Sequence, residues 1–101
     1  MTLQRDGTYE VEVMITPEGR FNEQAVDAHL ADKLAAAGVE VQEIGEYVDD
    51  GEGTLTTTVL LTVARAKGVD EARLDEVIAD AYADVGCPVD DVGVYTLLPE
   101  G

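Results

Sequence analysis

The chain has 101 residues, 46% of them hydrophobic, and carries 22 Asp and Glu against 6 Lys and Arg, a formal net charge of −16. Its length and apolar content suit one domain around one core and exclude a second domain of ordinary size. The charge argues against direct contact with nucleic acid or an anionic membrane, and no apolar run approaches the roughly 20 residues that a membrane span needs.

In chain order, residues 8–16 alternate, with Tyr9, Val11, Val13 and Ile15 on one face and Thr8, Glu10, Glu12 and Met14 on the other. This period of two predicts a half-buried strand. A turn from Thr16 to Arg20 follows, and then a helix with Asn22 as N-cap and Phe21 and Val26 placed as a hydrophobic staple. Val26, Leu30, Leu34 and Ala37 form its buried stripe, and Gly38 stops it. Val39 and Val41 open a second strand, whose broken alternation around Gln42, Glu43 and Ile44 predicts a bulge or an edge position near Gly45.

The second half repeats this grammar. Residues 49–53, Asp-Asp-Gly-Glu-Gly, read as a hairpin loop into a third strand over 54–65, with Leu55, Val59, Leu61 and Val63 facing one way. Asp70 caps a second helix, with Val69 and Leu74 at the staple positions and Leu74, Val77, Ile78, Ala81, Tyr82 and Val85 as its apolar stripe. Gly86 and Pro88 end it, and residues 89–98 supply a last strand. The expected fold is α+β: a ferredoxin-like βαββαβ plait, a single domain over 1–101 with two helices on one face of a four-stranded antiparallel sheet.

The chemistry-bearing residues point away from catalysis. The chain contains no serine, so a serine-type triad is absent, and the lone His29 has no second His or Cys to share a metal. Cys87 is the only cysteine, which excludes an internal disulfide and leaves it to be a small buried side chain. Residues 49–53 hold carboxylates but not the ligand spacing of an EF-hand, and read as a hairpin tip. No cofactor or metal is expected. The amino-terminal MTLQRDG lacks a secretory pattern, so the expected location is the cytoplasm.

The acids of the helices fall in columns. Glu71 with Asp75, and Glu76 with Asp80 and Asp84, are spaced by four, an arrangement that costs an isolated helix about 0.2–0.5 kcal/mol per pair. Asp80 and Asp84 also lie near the negative end of the helix dipole. Such columns ask for an external cation, either solvent salt or the Lys and Arg side chains of a partner. With Glu23 and Asp27 on the first helix they form a candidate surface for a basic protein. The face of the sheet away from the helices holds acids and threonines with no aromatic or basic residue on its first and third strands, which argues against RNA binding there. Met14 and Leu60 on that face offer a surface for a homo-oligomer.

Three resemblances extend this reading. In size and charge the chain resembles small phage-encoded inhibitors of host defence nucleases, which implies an acidic face that mimics a phosphate backbone. Its low lysine content, Lys33 and Lys67 only, resembles proteins of extreme halophiles, which implies a surface hydrated in molar salt. The run Leu34-Ala35-Ala36-Ala37-Gly38-Val39-Glu40-Val41-Gln42-Glu43-Ile44, following Pro17-Glu18-Gly19, resembles small-molecule-binding ACT domains. That last resemblance implies an oligomeric regulatory module binding an amino acid at Gly19, Arg20 and Asn22.

Overall fold

The computed structural model describes residues 6–63 and 70–99. Strand β1 (Gly7–Ile15) pairs along its whole length with β4 (Leu55–Val63), from Gly7 opposite Val63 to Ile15 opposite Leu55. Because side chains alternate, this ladder aligns Tyr9, Val11, Val13 and Ile15 with Leu61, Val59, Thr57 and Leu55 on one face. Helices α1 (Glu23–Ala36) and α2 (Glu71–Asp84) cover that face, with Val26, Leu30 and Leu34 from α1 and Leu74, Val77, Ile78, Ala81 and Tyr82 from α2 closing a single core. The predicted caps form: Asn22 Oδ1 accepts the Ala25 N–H, and Asp70 Oδ1 accepts the Arg73 N–H. Gly38 and Gly86 follow the helix ends at φ of 87° and 75°, a region that glycine enters without strain. The proposed staple residue Val69, and Ala64 and Arg65 at the end of the third predicted strand, lie outside the described residues.

Among the described residues the sheet has six antiparallel strand segments where four were expected. Strand β2 (Val39–Ile44), β4, β1 and β5 (Val89–Val92) lie side by side in that order, while β3 (Val48–Asp49) pairs with β4 and β6 (Thr96–Leu97) with β1. The last predicted strand is therefore two pieces. Its register explains the division: Val13 faces Val92, yet Tyr9 faces Leu97, so the second piece runs one residue out of step with the first. The surplus residue falls between Gly93 and Tyr95. It flips the parity of the strand, leaving Val94 70% exposed and sending Tyr95 into the core at 2%.

The same device operates on the other side of the sheet. Between Val41 and Glu43 the register against β4 slips by one, with Gln42 as the extra residue. Without it Glu43 would face the core; with it Ile44 packs there and Glu43 is exposed. The bulge read from the sequence thus lies at Gln42, just before Gly45.

Thr57 interrupts the apolar row of β4 and is 2% exposed. Its hydroxyl donates to the Gly45 carbonyl at 2.8 Å, and the Gly45 N–H donates to the Thr58 carbonyl at 2.7 Å. A buried threonine is tolerable because its one donor is satisfied. Gly93 stands in the same relation to β1, its N–H donating to the Glu12 carbonyl at 2.8 Å. A Cβ at Gly45 would sit 3.2 Å from the Thr58 carbonyl oxygen, and one at Gly93 3.3 Å from that of Glu12. Backbone cannot swing aside as a flexible side chain does, so Gly45→Ala and Gly93→Ala should each cost about 1–3 kcal/mol in urea unfolding. Gly19→Ala, where nothing lies within 4 Å, should cost nothing. Equal effects at all three positions would refute the close-approach explanation.

Candidate functional site

Of the seven acids proposed as a partner surface, Asp84, Glu76, Asp27 and Asp75 make side-chain bonds within the chain. Asp84 at the end of α2 meets His29 Nε2 at 2.9 Å and Lys33 Nζ at 3.2 Å, both from α1. These partners hold its carboxyl below the usual carboxylate range, the His29 hydrogen bond first and the Lys33 one second. Glu76 accepts from Arg73 at 3.1 Å, three residues back on the same helix. Asp27 and Asp75 accept from tyrosines, Tyr47 at 2.7 Å and Tyr95 at 2.8 Å. Glu23 and Asp80 are exposed, and Glu71 is half-buried. The helix face is therefore a mixed surface in which His29, Lys33 and Arg73 stand among the acids.

The two tyrosine bonds are one arrangement built twice. Tyr47 and Tyr95 are 48 residues apart, as are Asp27 and Asp75, Gly45 and Gly93, Gly38 and Gly86, Asp32 and Asp80, and Glu23 and Glu71. In each half a tyrosine two residues beyond the close-approach glycine reaches back to an aspartate in the second turn of that half's helix. This ungapped repeat is the sequence signal that identifies Tyr47 and Tyr95 as structural partners of the helices; strand-helix-strand grammar alone does not.

The halves differ in what surrounds the bond. Tyr47 spends its single hydroxyl proton on Asp27, so the contact of 2.9 Å with the Tyr82 hydroxyl has Tyr82 as donor. Phe21 lies edge-on to Tyr47, with ring centroids 4.9 Å apart. Burial raises the Asp27 carboxyl above its ordinary value, and the Tyr47 hydrogen bond only partly restores it. Burial also pushes Tyr82 up to about 12 and Tyr47 and Tyr95 higher still, so all three phenols stay protonated at neutral pH.

The remaining candidates have plain positions. Asp49 ends β3 and residues 50–54 form the tip of the β3–β4 hairpin, where Asp49 accepts the Gly51 N–H and Asp50 accepts those of Glu52 and Thr54. Among the described residues no three His, Cys, Asp or Glu side chains are grouped to hold a metal ion, and no helix is long and apolar enough to cross a membrane. Cys87 is buried, and burial raises its thiol. Of the residues implied by the ACT resemblance, Gly19 and Arg20 are exposed, while Asn22 uses its side chain to cap α1. Met14 and Leu60 are half-buried on the outer face of the sheet, opposite Thr56 and Glu10 respectively.

A groove of roughly 480 Å³ runs between α1 and β2, lined by residues 31, 32, 35 and 38–41. A smaller cleft of roughly 220 Å³ between the helices has Lys33, Arg73, Val77 and Asp80 among its lining residues.

No protein-family model and no curated protein matches the chain. Among solved structures it is similar to the C-terminal domain of the MgtC protein from Mycobacterium tuberculosis, determined in solution, with a TM-score of 0.59 and 21% identity over 93% of this chain and 89% of that one. At that identity the likeness shows the fold, a small α+β domain with an antiparallel sheet. It supplies no link to ACT domains or to phage inhibitors.

The duplicated bond gives an ordered expectation. Tyr95→Phe removes one hydrogen bond and should cost about 1–2 kcal/mol, whereas Tyr47→Phe strips the donor from Asp27 and the acceptor from Tyr82 and should cost more, about 2–3 kcal/mol. Urea unfolding decides the order, and a reversed order refutes the shared network. The pH dependence has a definite sign. Because the folded pKa of Asp27 is raised above 3.8, this group favours folding at low pH and opposes it as pH rises through the folded value. Asp84, lowered, contributes stability above 3.8 that is lost as pH falls through its folded value. Asp27→Asn, which keeps an acceptor for Tyr47, should therefore gain stability relative to the parent between pH 3 and pH 7. A relative loss over that interval would contradict the buried-carboxylate account.

Proposed function

We propose that this chain is a non-catalytic, acidic binding module of ferredoxin-like topology that docks a basic protein. The strand order β2, β4, β1, β5, with the first and third long strands central and a helix after each, supports that topology. The single observation that carries the function is the distribution of charge after internal pairing. His29, Lys33 and Arg73 are taken up by Asp84 and Glu76, while Glu23, Asp32, Glu40, Glu43 and Asp80 remain at the surface. A net charge of −16 carries a long-range field that accelerates encounter with a cationic surface. Because Asp84 and Glu76 have partners of their own, a docking surface fits the helix face better than a uniform copy of a phosphate ladder.

Thermal unfolding across a KCl series, followed by circular dichroism, tests the reading. The expected result is a cooperative transition in dilute buffer and a further rise in midpoint with a lysine-rich peptide, exceeding the rise from KCl at the same cation concentration. A chain that folds only in molar salt, or gains no more from the peptide than from KCl, would make the charge an adaptation to solvent and sink the proposal.

A further inference from the structure

Among the described residues strand β2 pairs with β4 on one side and with no strand on the other, so its outward N–H and C=O groups stand at the sheet's edge. The groove of roughly 480 Å³ lies directly beside that edge. Its apolar surface comes from Ala31 and Ala35 of α1, whose small side chains leave it open, and from Val41 of β2, while Val39 in the same lining is buried. Asp32 and Glu40 flank it, with no cation among the lining residues. Along the strand, alternation puts Val39 and Val41 toward the core and Glu40 on the opposite face, and the bulge at Gln42 adds Glu43 to that acidic face.

Soluble proteins guard such edges with charged side chains, lysine above all, and with prolines, bulges or short strands. The other end of this sheet follows that rule: β5 has four residues, is preceded by Pro88 and is bulged at Asp90. Its helix carries Ala79, Asp80 and Ala83, each 48 residues after Ala31, Asp32 and Ala35. The same helix motif therefore borders two edges, both bulged, of which the β2 edge is longer and carries glutamates instead of a proline. A second copy pairing there would bring Glu40 and Glu43 against their own equivalents, a like-charge contact in a chain already at −16. A basic strand would meet the opposite situation.

We infer that the β2 edge and the α1 groove beside it bind an extended basic peptide that adds to the sheet as a further strand. Alternate apolar side chains of the peptide enter the groove against Ala31, Ala35 and Val41, and the intervening Lys or Arg side chains face Glu40 and Glu43. This assignment rests on the basic-partner reading above and names its site.

The test uses the whole chain and a fluorescein-labelled ten-residue peptide of alternating Lys and Val, read by anisotropy. Its controls are a peptide of the same composition in two blocks, five Lys then five Val, and an alternating Glu-Val peptide. The expected result is saturable binding of the alternating Lys-Val peptide, about tenfold tighter than the block peptide, with no binding of the Glu-Val peptide. Ala35→Arg, an exposed helix position, should weaken binding about tenfold by filling and charging the groove, whereas the repeat-equivalent Ala83→Arg should change it less than about twofold. Circular dichroism checks that both variants remain folded. Equal weakening by both would mean diffuse attraction, which overturns the groove while leaving the basic-partner reading intact. A free-protein dimer in sedimentation that Ala35→Arg dissolves would give the edge to a second copy and overturn it as well. Absence of binding to either cationic peptide would overturn both readings.

Discussion

The nine-residue ladder between β1 and β4 is the constraint from which the rest of the molecule follows. It runs without a register break, so its side chains sort cleanly into a core face and an outer face. The outer strands cannot match it residue for residue and still bury their apolar side chains. Each therefore takes extra residues, Gln42 on one side and Asp90 and Val94 on the other, and Gln42 and Val94 decide which side chains beyond them turn inward. Ile44 and Tyr95 reach the core only because of these slips, and Tyr95 could not otherwise approach Asp75.

The two halves share more than this device. Each attaches its outer strand to the inner ladder through a glycine N–H and to its helix through a tyrosine hydroxyl, the two attachments separated by two residues. A glycine is required because the backbone crosses a neighbouring carbonyl at close range, and a tyrosine because the aspartate it reaches stands a full ring away from the strand. The halves then diverge where they meet. Tyr82 takes the place that Leu34 holds in the first half, and its hydroxyl joins the Tyr47–Asp27 pair, so the first half's polar tie is anchored in both helices.

Most of the fold is legible in the sequence because its signals are local. Asn22 and Asp70 as caps, Gly38 and Gly86 as stops, and the alternation of residues 8–16 each depend on neighbours within a turn or a pleat. The last strand is misread as continuous because a bulge leaves no mark in composition: Val94 looks like an inward residue, and only its register against Glu12 and Val11 shows that it is the surplus one. Thr57 escapes notice for a similar reason, since its partner is a backbone carbonyl in another strand. The helix columns are half legible. Asp84 does need a cation, as its place at the negative end of α2 requires, but the cation is Lys33, joined by a hydrogen-bonding contact with His29, on a helix more than fifty residues earlier, which no reading of α2 alone can supply.

A duplicated framework with unequal edges bears on function. The interior positions of the repeat, Asp27 and Asp75, Tyr47 and Tyr95, Gly45 and Gly93, are held by demands of packing and hydrogen bonding that both halves share. The edges are free of those demands, because a residue there contributes little to the core. Both edge strands are bulged, but at the β5 edge stands a proline next to a short strand, and at the β2 edge stand Glu40 and Glu43 beside an open groove. Folding alone does not favour glutamates on an exposed edge of a protein with a surplus of sixteen negative charges, since each adds to the repulsion within the compact state. On the proposed reading a cationic strand would occupy that edge, and the same charges that burden the free domain would become the attraction that selects it.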